Sequence, residues 1–322
     1  MKATTKSPTP AHESAPARRE SKKPTGRRVA PYVFMAPAMI LFIGVMALPI
    51  IYAAYLSFRS VKVSGLGLGS GARTEVWAGL SNYARVFADP EFLSSVWRVL
   101  MYGLIVVPTM LGLALLFALL LDSKRSRATG FSRLAIFLPY AVPAVISSLL
   151  WGFLYLPAVS PFYYIAEKLG VNAPELLSND WVMFAIANIA VWGGTGFNMI
   201  VIYTSLRAIP SELYEAARLD GANEKQIAWR VKIPIVIPSL IMTFVFSLIA
   251  TSQVFAEPTT LRPLSNAIST TWSPLMKVYR DAFVRDDLYS AAAMSIVIAL
   301  VTFVVSFGFL RLTQNRAFNQ EN

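Results

Sequence analysis

The chain has 322 residues, of which 55% are hydrophobic and only 15% charged, and its formal net charge is +11. A water-soluble domain of this length rarely carries so little charge, so the composition is typical of an integral membrane protein. The sequence contains no cysteine, and its one histidine is His12. Disulfides, thiol catalysis and the usual zinc sites are therefore excluded as functions of this chain, and we expect no metal site.

A basic, polar stretch occupies residues 1–31 and precedes the first apolar run. Its lysines and arginines are mixed with Ser, Thr, Pro and Ala, a composition typical of a disordered tail. Nucleic-acid binding is one interpretation of such a run, but beside a membrane span a topology signal that contacts anionic lipid explains it better. We therefore expect membrane lipid as a partner and no nucleic acid. The apolar run that follows is too long for the core of a signal peptide and is predicted to be retained.

Six intervals between charged residues exceed the roughly 18 residues that a helix needs to cross a bilayer. They predict spans at about 33–58, 99–121, 131–156, 181–206, 233–256 and 289–311. The expected fold class is all-α, a polytopic membrane protein with six transmembrane helices. Its membrane domain would cover 32–312, and residues 313–322 would form a C-terminal tail.

Lysine and arginine are distributed unevenly over the connections between these spans. More than half of the 29 basic residues fall in the N-terminal tail, in 122–133, in 207–232 and after 310. Because basic connections favour the inside of the membrane, these regions and both termini are predicted to be cytoplasmic. The long connections 59–97, 157–180 and 257–288 would then lie outside.

The first external connection carries two local patterns. Glycines alternate between 65 and 71 without a following Lys-Ser or Lys-Thr, which favours a flexible connector over a phosphate-binding loop. Apolar residues at near-helical spacing in 80–98 predict an interfacial helix or helix pair, with a break at Asp89-Pro90.

The predicted spans contain no Asp, Glu, Lys, Arg or His away from their ends. Ion-coupled carriers generally place ionisable groups at membrane depth, and ion-selective channels use charged rings or carbonyl filters, so neither class is favoured. Catalysis within the membrane would need a nucleophile beside a base, which these spans do not offer. The pattern favours a pathway for a neutral solute that takes its energy from a partner.

Uncharged polar and aromatic side chains are concentrated in the fourth and fifth predicted spans. Amides that hydrogen-bond and rings that stack are the usual means of binding hydroxyl-rich neutral ligands. The candidate pathway residues are Asn188, Trp192, Asn198, Tyr203, Ser252, Gln253 and Phe255. Polar residues also hold transmembrane helices together, and the sequence leaves both roles open.

Residues 210–238 form a patterned polar segment between two apolar spans, which predicts the docking of a partner. Ser211 is expected to start a short helix that Gly221 ends in a left-handed cap. Asn223 and Gln226 are expected to open a second short helix as a capping-box pair. Pro234 would then mark the entry into the fifth span.

The 210–238 segment resembles the EAA signature of ABC importer permeases. Glu215-Ala216-Ala217 is followed after three residues by Gly221, and nine residues later comes Val231-Lys232-Ile233-Pro234. In that family this loop is a cytoplasmic coupling helix, here between helices 4 and 5, that sits in a groove of the ATPase subunit. The resemblance implies ATPase-coupling roles for Glu215, Ala216, Ala217, Asp220, Gly221, Ala222 and Pro234.

Further matches resemble the carbohydrate-uptake class, and in particular the larger permease of maltose and glycerol-phosphate importers. They are Gly79-Leu80-Ser81-Asn82-Tyr83, Tyr279, Phe283, Ala291-Ala292-Ala293 and Ser295. Ala256-Glu257-Pro258 departs from the Gly-Gly-Pro that such permeases often show, which leaves the external gate and the substrate open.

The resemblance covers roughly 31–312 and implies a permease subunit of an ATP-driven importer in a bacterial plasma membrane, for a sugar, oligosaccharide or polyol derivative. The implied partners are a second permease subunit in a heterodimer, two ATPase subunits and an extracytoplasmic solute-binding protein. ATP would be bound by those partners, so the chain would be no enzyme and would need no cofactor. A secondary carrier or facilitator without an ATPase is the alternative, and a membrane-anchored scaffold is a third class.

Overall fold

The computed structural model describes residues 30–63, 73–123 and 128–317, with side chains for 31–62, 73–123 and 128–313. The expectations for the N-terminal tail, for the glycines between 65 and 71 and for the last five residues therefore lie outside the described residues. The chain divides into two units, Met1–Ile51 and Tyr52–Asn322.

The described chain begins with a long apolar helix. Helix α1 spans Ala30–Phe42, a π-helical turn follows at Ile43–Ala47, and α2 spans Leu48–Ser57. Together they give a candidate membrane span at Pro31–Ser57 with a mean hydropathy of 2.4. The first predicted span, at 33–58, falls on this helix.

A β-hairpin follows the first helix, so the prediction of an all-α chain is wrong at this point. Strand β1 (Arg59–Val63) pairs antiparallel with β2 (Arg73–Trp77), with Arg59 opposite Trp77. The strands carry alternating β-branched residues, which suit a pleated surface. Each strand is only five residues long, too short to register in a search for membrane-length apolar intervals.

Asp89 separates α3 (Ser81–Ala88) from α4 (Pro90–Leu121). Its carboxylate accepts hydrogen bonds from the backbone amides of Glu91 and Phe92, at 2.8 and 3.3 Å, so the predicted break is confirmed. Pro90 is the first residue of α4, where its missing N–H costs no helical hydrogen bond. Residues 90–98 consequently belong to the same 32-residue helix as the second span, not to a separate interfacial helix.

The prediction of one continuous third span at 131–156 is wrong. Helix α5 (Thr129–Phe137) passes through a 3₁₀ turn, Leu138–Ala141, and α6 (Ala144–Tyr155) follows after a bend of 97°. Pro143 forces Val142 into an extended conformation, with φ −82° and ψ 126°. Two prolines four positions apart break the helix where a single one would kink it.

The remaining helices follow in chain order. They are α7 (Pro161–Lys168), α8 (Val182–Arg207), α9 (Ser211–Leu219), α10 (Glu224–Ile227), a π-helical turn (Ala228–Lys232), α11 (Ile233–Ser252), α12 (Ala256–Leu261), a 3₁₀ turn (Arg262–Leu264), α13 (Pro274–Phe283) and α14 (Leu288–Ala317). Helix α14 extends beyond the predicted end of the sixth span.

Five helices within the described ranges are long and apolar enough to cross a membrane. The bent pair α5–α6 makes a sixth crossing if it is counted as one broken span. The chain is thus a mostly helical, multi-pass membrane protein.

Helices α4 and α8 form the centre of the second unit and make its most extensive helix contact. Val99 and Ala185, near the starts of the two helices, share one buried cluster, and Leu121 and Leu206, at their ends, share another. The two helices therefore run parallel to each other.

Glycine lets α8 approach α5 closely, because a methyl group at Gly196 would lie 2.7 Å from the Cα of Phe137 at the end of α5.

Candidate functional site

A cavity of about 840 Å³, called the central cavity below, opens among α4, α6, α8, α11 and the turn that joins α5 to α6. This volume lies within the range of small-molecule binding pockets. The lining includes Tyr102, Met110, Tyr140, Ser147, Gly193, Gly194, Phe197, Asn198, Phe246, Ser247, Thr251, Gln253, Phe255 and Glu257. Rings, amides and hydroxyls are thus brought together on its walls.

The wall formed by α8 combines an aromatic pair with an amide. The rings of Tyr140 and Phe197 stack with centroids 5.0 Å apart. The Asn198 amide donates to the carbonyl oxygen of Gly194 at 2.9 Å, and its oxygen accepts from the Ser247 hydroxyl at 3.4 Å. Asn198 therefore lines the cavity and also links α8 to α11.

One end of the central cavity lies at the break between α11 and α12. Helix α11 ends at Ser252, and Phe255, with φ −146° and ψ −50°, turns the chain before α12 starts at Ala256. Glu257 follows in the first turn of α12 and lines the cavity. Among the described lining residues it is the one with a carboxyl group.

The first half of the 210–238 segment folds as predicted. Helix α9 begins at Ser211, and Gly221 follows it with φ +84°, the left-handed conformation that glycine adopts most readily. The amides of Gly221 and Ala222 donate to the carbonyls of Arg218 and Ala217, both at 3.0 Å. The prediction of a left-handed cap is confirmed.

The second half is capped as predicted but does not form a separate helix. The Asn223 carboxamide oxygen accepts from the Gln226 amide at 2.9 Å, and the Gln226 side chain accepts from the Asn223 amide at 2.8 Å. From Glu224 the chain then stays helical through the π-helical turn and α11 to Ser252. Helix α11 begins at Ile233 with Pro234 in its first turn, so Pro234 marks the entry into the fifth span as predicted, although the chain is already helical before it. The wider turn before it accommodates the proline ring and its missing N–H.

A buried ion pair joins the 210–238 segment to the end of α4. The Lys232 ammonium lies 2.6 Å from the Asp122 carboxylate, and the two side chains are only 8% and 5% exposed. The same ammonium lies 5.1 Å from the centroid of the Tyr214 ring on α9. The Tyr214 hydroxyl donates to the carbonyl of Leu206 at 3.3 Å. These contacts connect the end of α4, the end of α8, helix α9 and the turn before α11.

The outward face of this segment carries large apolar side chains. Leu219 is 89% exposed and Trp229 is 73% exposed. An ion pair between Arg218 and Glu224, at 3.0 Å, spans the turn between them. Exposed apolar side chains with charged neighbours are characteristic of an interaction surface.

A comparison with known protein families identifies the chain. Residues 86–318 match the family described as "Binding-protein-dependent transport system inner membrane component". The chain belongs to this family. The permease is 28% identical over 293 residues to the "sn-glycerol-3-phosphate transport system permease protein UgpA" of Agrobacterium fabrum, a match that covers 90% of this chain and 96% of the relative.

Solved structures show the same fold. The permease superimposes with a TM-score of 0.77 on a chain of a bacterial ABC transporter involved in the import of the acidic polysaccharide alginate, at 20% identity, covering 90% of this chain and 96% of that one. The alginate transporter in complex with an alginate pentasaccharide-bound periplasmic protein also gives 0.77, at 19% identity, with coverages of 91% and 96%. The chain is a transport subunit of an ABC importer, not an enzyme, and these findings do not support the secondary-carrier alternative.

Three of the predicted pathway residues of the permease, Asn198, Gln253 and Phe255, line the central cavity. The other four, Asn188, Trp192, Tyr203 and Ser252, are not part of its lining. Asn188 donates to the Tyr155 hydroxyl at 2.9 Å, and Trp192 packs edge-on against Trp151 with centroids 5.8 Å apart. These contacts match the helix-joining role that the sequence left open.

The residues that the EAA resemblance singles out differ in how far they are exposed on the permease. Glu215, Ala216, Asp220 and Gly221 are exposed on or just after α9, whereas Ala217, Ala222 and Pro234 are partly buried. The exposed members lie in the same segment as Leu219 and Trp229.

Sequence reasoning missed the cavity residues Tyr140, Phe197 and Glu257, and the Asp122–Lys232 pair. A signal for the pair was present, because Lys232 stands among apolar residues and a buried cation needs an anion. Tyr140 and Phe197 gave no comparable signal, since aromatic rings in apolar spans are found facing lipid, protein and cavities alike.

Proposed function

We propose that this permease forms half of the translocation pathway of an ABC importer for a sugar, oligosaccharide or polyol derivative. The observation that carries the proposal is the central cavity, where Asn198 and Gln253 offer amides beside the rings of Tyr140 and Phe197. Amides and aromatic faces together suit hydroxyl-bearing solutes. The named relatives, which serve glycerol-3-phosphate and alginate, support a solute of this class.

The topology that we propose has six crossings within residues 32–312, in a bacterial inner membrane and with both termini in the cytoplasm. The parallel arrangement of α4 and α8 supports it. Two parallel crossings require the intervening chain to return across the membrane, and the bent pair α5–α6 is the apolar segment available for that return. The basic residues of the connections support the orientation.

We also propose that the exposed face of α9 is the coupling helix and receives an ATPase subunit. Glu215 would meet a basic residue there, while Ala216 leaves room for close insertion. Leu219 and Trp229 would be covered by the partner. The buried pair of Lys232 and Asp122 would then pass the movement of this segment to α4. ATP is bound by the partner in this proposal, and the permease needs no cofactor of its own.

The complete importer would contain this chain, a second and related permease, two ATPase subunits and an external solute-binding protein. That protein would dock on the connections 59–97, 157–180 and 257–288. The alginate transporter, solved in complex with a periplasmic protein, supports such an arrangement.

The test is to extract the permease from its native membrane in mild detergent with nucleotide present, and to identify the bound chains by mass spectrometry. We expect an ATPase subunit and a second multi-pass permease. Recovery of the chain alone, or only with copies of itself, would contradict the proposed assembly. Omission of nucleotide serves as the control for dependence on the ATPase state.

A further inference from the structure

We infer that the pocket between α9 and the ends of α4 and α8 binds a phosphate group, carried by a membrane lipid or by a soluble phosphate. This pocket, called the segment pocket below, has a volume of about 280 Å³ and is separate from the central cavity. It lies just below the usual range of small-molecule sites, which suits a single small anionic group. The inference goes beyond the proposed function and does not depend on the transported solute.

One face of α9 forms a wall of the segment pocket. Ser211, Tyr214 and Arg218 all line it, and their spacing of three and four positions places them on one side of the helix. Ala216 and Leu219 are exposed and lie outside the described lining. A partner bound at those two residues would therefore leave the segment pocket unfilled.

Cations outnumber carboxylates in the described lining of the segment pocket. Arg207, Arg218 and Lys232 are basic, whereas Asp122 and Glu224 are acidic. Lys232 lies 2.6 Å from Asp122, and Arg218 lies 3.0 Å from Glu224. Within the described ranges Arg207 has no carboxylate at ion-pair distance and no side-chain hydrogen bond. One positive charge is thus left over, and it favours an anionic ligand.

The buried ammonium of Lys232 also has room for a ligand. Its side chain is 8% exposed, and among the described residues its hydrogen bond goes to Asp122. An ammonium carries three N–H donors, so two of them have no oxygen acceptor in this part of the chain. Buried donors are normally satisfied by protein, water or a ligand. An oxygen of a bound phosphate group would supply the missing acceptor.

The types of donor suit a phosphate group. A guanidinium binds phosphate oxygens through parallel N–H groups, and an ammonium binds them as a compact charge. Ser211 adds a hydroxyl at the start of α9, where the cap residue Pro210 makes no side-chain hydrogen bond to the first amides. Those amides favour a nearby anion.

The place of the segment pocket in the fold favours phosphate over a carboxylate ligand. Asp122 directly follows α4, and Arg207 is the last residue of α8. Both helices are long and apolar enough to cross a membrane, and they run parallel, so these two ends lie on the same side. The ends of membrane-spanning helices lie at the level of the lipid headgroups, where basic pockets between helices bind anionic lipids.

The experiment uses the full-length permease in dodecyl maltoside, stripped of lipid and of ATPase subunits, whose nucleotide sites would also bind phosphate. Native mass spectrometry counts the dioleoyl phosphatidylglycerol that stays bound, with the phosphate-free lipid dioleoylglycerol for comparison. Equilibrium dialysis against radiolabelled inorganic phosphate, at constant ionic strength, tests the soluble source. Wild type is compared with Arg207→Gln and with the control Arg230→Gln, an exposed arginine outside the described lining.

We expect one phosphatidylglycerol or one inorganic phosphate to bind per permease. Arg207→Gln should weaken this binding at least about tenfold, because a charge-assisted contact is lost, whereas Arg230→Gln should leave it unchanged. Ser211→Ala removes only a hydroxyl and should weaken binding by a smaller factor. It keeps the test valid if the melting temperature shows that Arg207→Gln does not fold.

The two probes distinguish the sources of the phosphate group. Retention of phosphatidylglycerol without binding of inorganic phosphate identifies a lipid, and binding of inorganic phosphate to the lipid-free permease identifies a soluble ligand. Failure of both probes to bind would overturn the inference. Equal retention of phosphatidylglycerol and dioleoylglycerol, without binding of inorganic phosphate, would also overturn it, as would equal binding by folded Arg207→Gln and Arg230→Gln.

Discussion

The ammonium of Lys232 lies 2.6 Å from the carboxylate of Asp122, although 110 positions separate the two residues in the chain. Lys232 ends the π-helical turn before α11, and Asp122 directly follows α4. Both side chains are almost entirely buried. Since a buried ion is tolerated only with its partner, this pair fixes where the segment attaches to the membrane helices.

Removing one member of that pair should destabilise the permease strongly. Lys232→Met leaves the Asp122 carboxylate buried without its cation, at a cost of about 3–5 kcal/mol. Thermal unfolding in detergent, followed by tryptophan fluorescence, measures the change. Arg218→Ala is the matched control, because it breaks the more exposed ion pair with Glu224, which is worth about 0–1 kcal/mol. Equal destabilisation by the two substitutions would contradict the anchoring role.

The backbone at Gly221 makes a separate prediction about coupling. Gly221→Val introduces a branched side chain at φ +84°, at a cost of at least about 1 kcal/mol, whereas Gly221→Asn keeps a residue that tolerates this conformation. No atom lies within 4 Å of an added Cβ, so the effect comes from the backbone. We expect the valine variant to insert normally but to lose uptake per ATP hydrolysed. Normal uptake by Gly221→Val would count against α9 as the coupling helix.

Gly196 predicts a packing effect within the membrane domain. A methyl group there would overlap the backbone of Ile136 and Phe137, so Gly196→Ala should cost about 1–3 kcal/mol. Gly112→Ala on α4 is the control, since an added Cβ meets nothing within 4 Å. The melting temperatures of the two purified variants provide the comparison. Equal melting temperatures for Gly196→Ala and Gly112→Ala would refute the close approach of α8 to α5.

An ion cluster links α4 to α13 and consists of Asp89, Glu91, Lys277, Arg280 and Asp281. We expect the permease to lose stability in acid because of this cluster. Burial by itself would raise the pKa of Asp89, but the hydrogen bond from Lys277 and the amides of Phe92 and Glu91 outweigh it, and the pKa is lowered. For Lys277, burial would lower the pKa, but Asp89 and Asp281 raise it. A carboxyl group whose pKa is lowered on folding stabilises the folded state at pH values above the pKa that it has in the unfolded chain, which is near 4.

That stabilisation should disappear as the pH falls through the lowered pKa of Asp89. The hydrogen bond from Arg280 lowers the pKa of Glu91 to about 2, so this carboxylate of the cluster adds to the trend. The measurement is the melting temperature between pH 7 and pH 3. Asp89→Asn keeps an N-cap for α4 but has no charge to lose, so its melting temperature should fall less steeply than that of wild type. An equal fall of melting temperature with pH in wild type and Asp89→Asn would refute the contribution of the Asp89 charge to stability.

Local chemistry made parts of the fold predictable from the sequence. The fourth span, predicted at 181–206, is Val182–Arg207, because charged residues bound a single uninterrupted apolar run. The third span was not predictable in the same way. Its apolar run gave the right length, but Pro139 and Pro143 together turn the chain by 97°, and hydropathy does not register a change of direction.

The candidate site likewise contains some features that local sequence predicts and others that it does not. Gly221 and the Asn223–Gln226 cap depend on residues a few positions apart, and both are found as predicted. The lining of the central cavity depends on how each helix is rotated about its axis, so Asn198 faces the cavity while Trp192 does not. Such rotations are set by contacts between distant helices, for which a single sequence holds no direct signal.

The unbroken helix from Glu224 to Ser252 has a mechanical consequence. At 1.5 Å per residue it is about 43 Å long, so a tilt of about 10° at one end displaces the other by roughly 7 Å. One end carries the cap at Asn223, and the other meets Gln253 at the central cavity. A push on the cytoplasmic surface and a change in the shape of the cavity would then be two results of a single rotation of this helix.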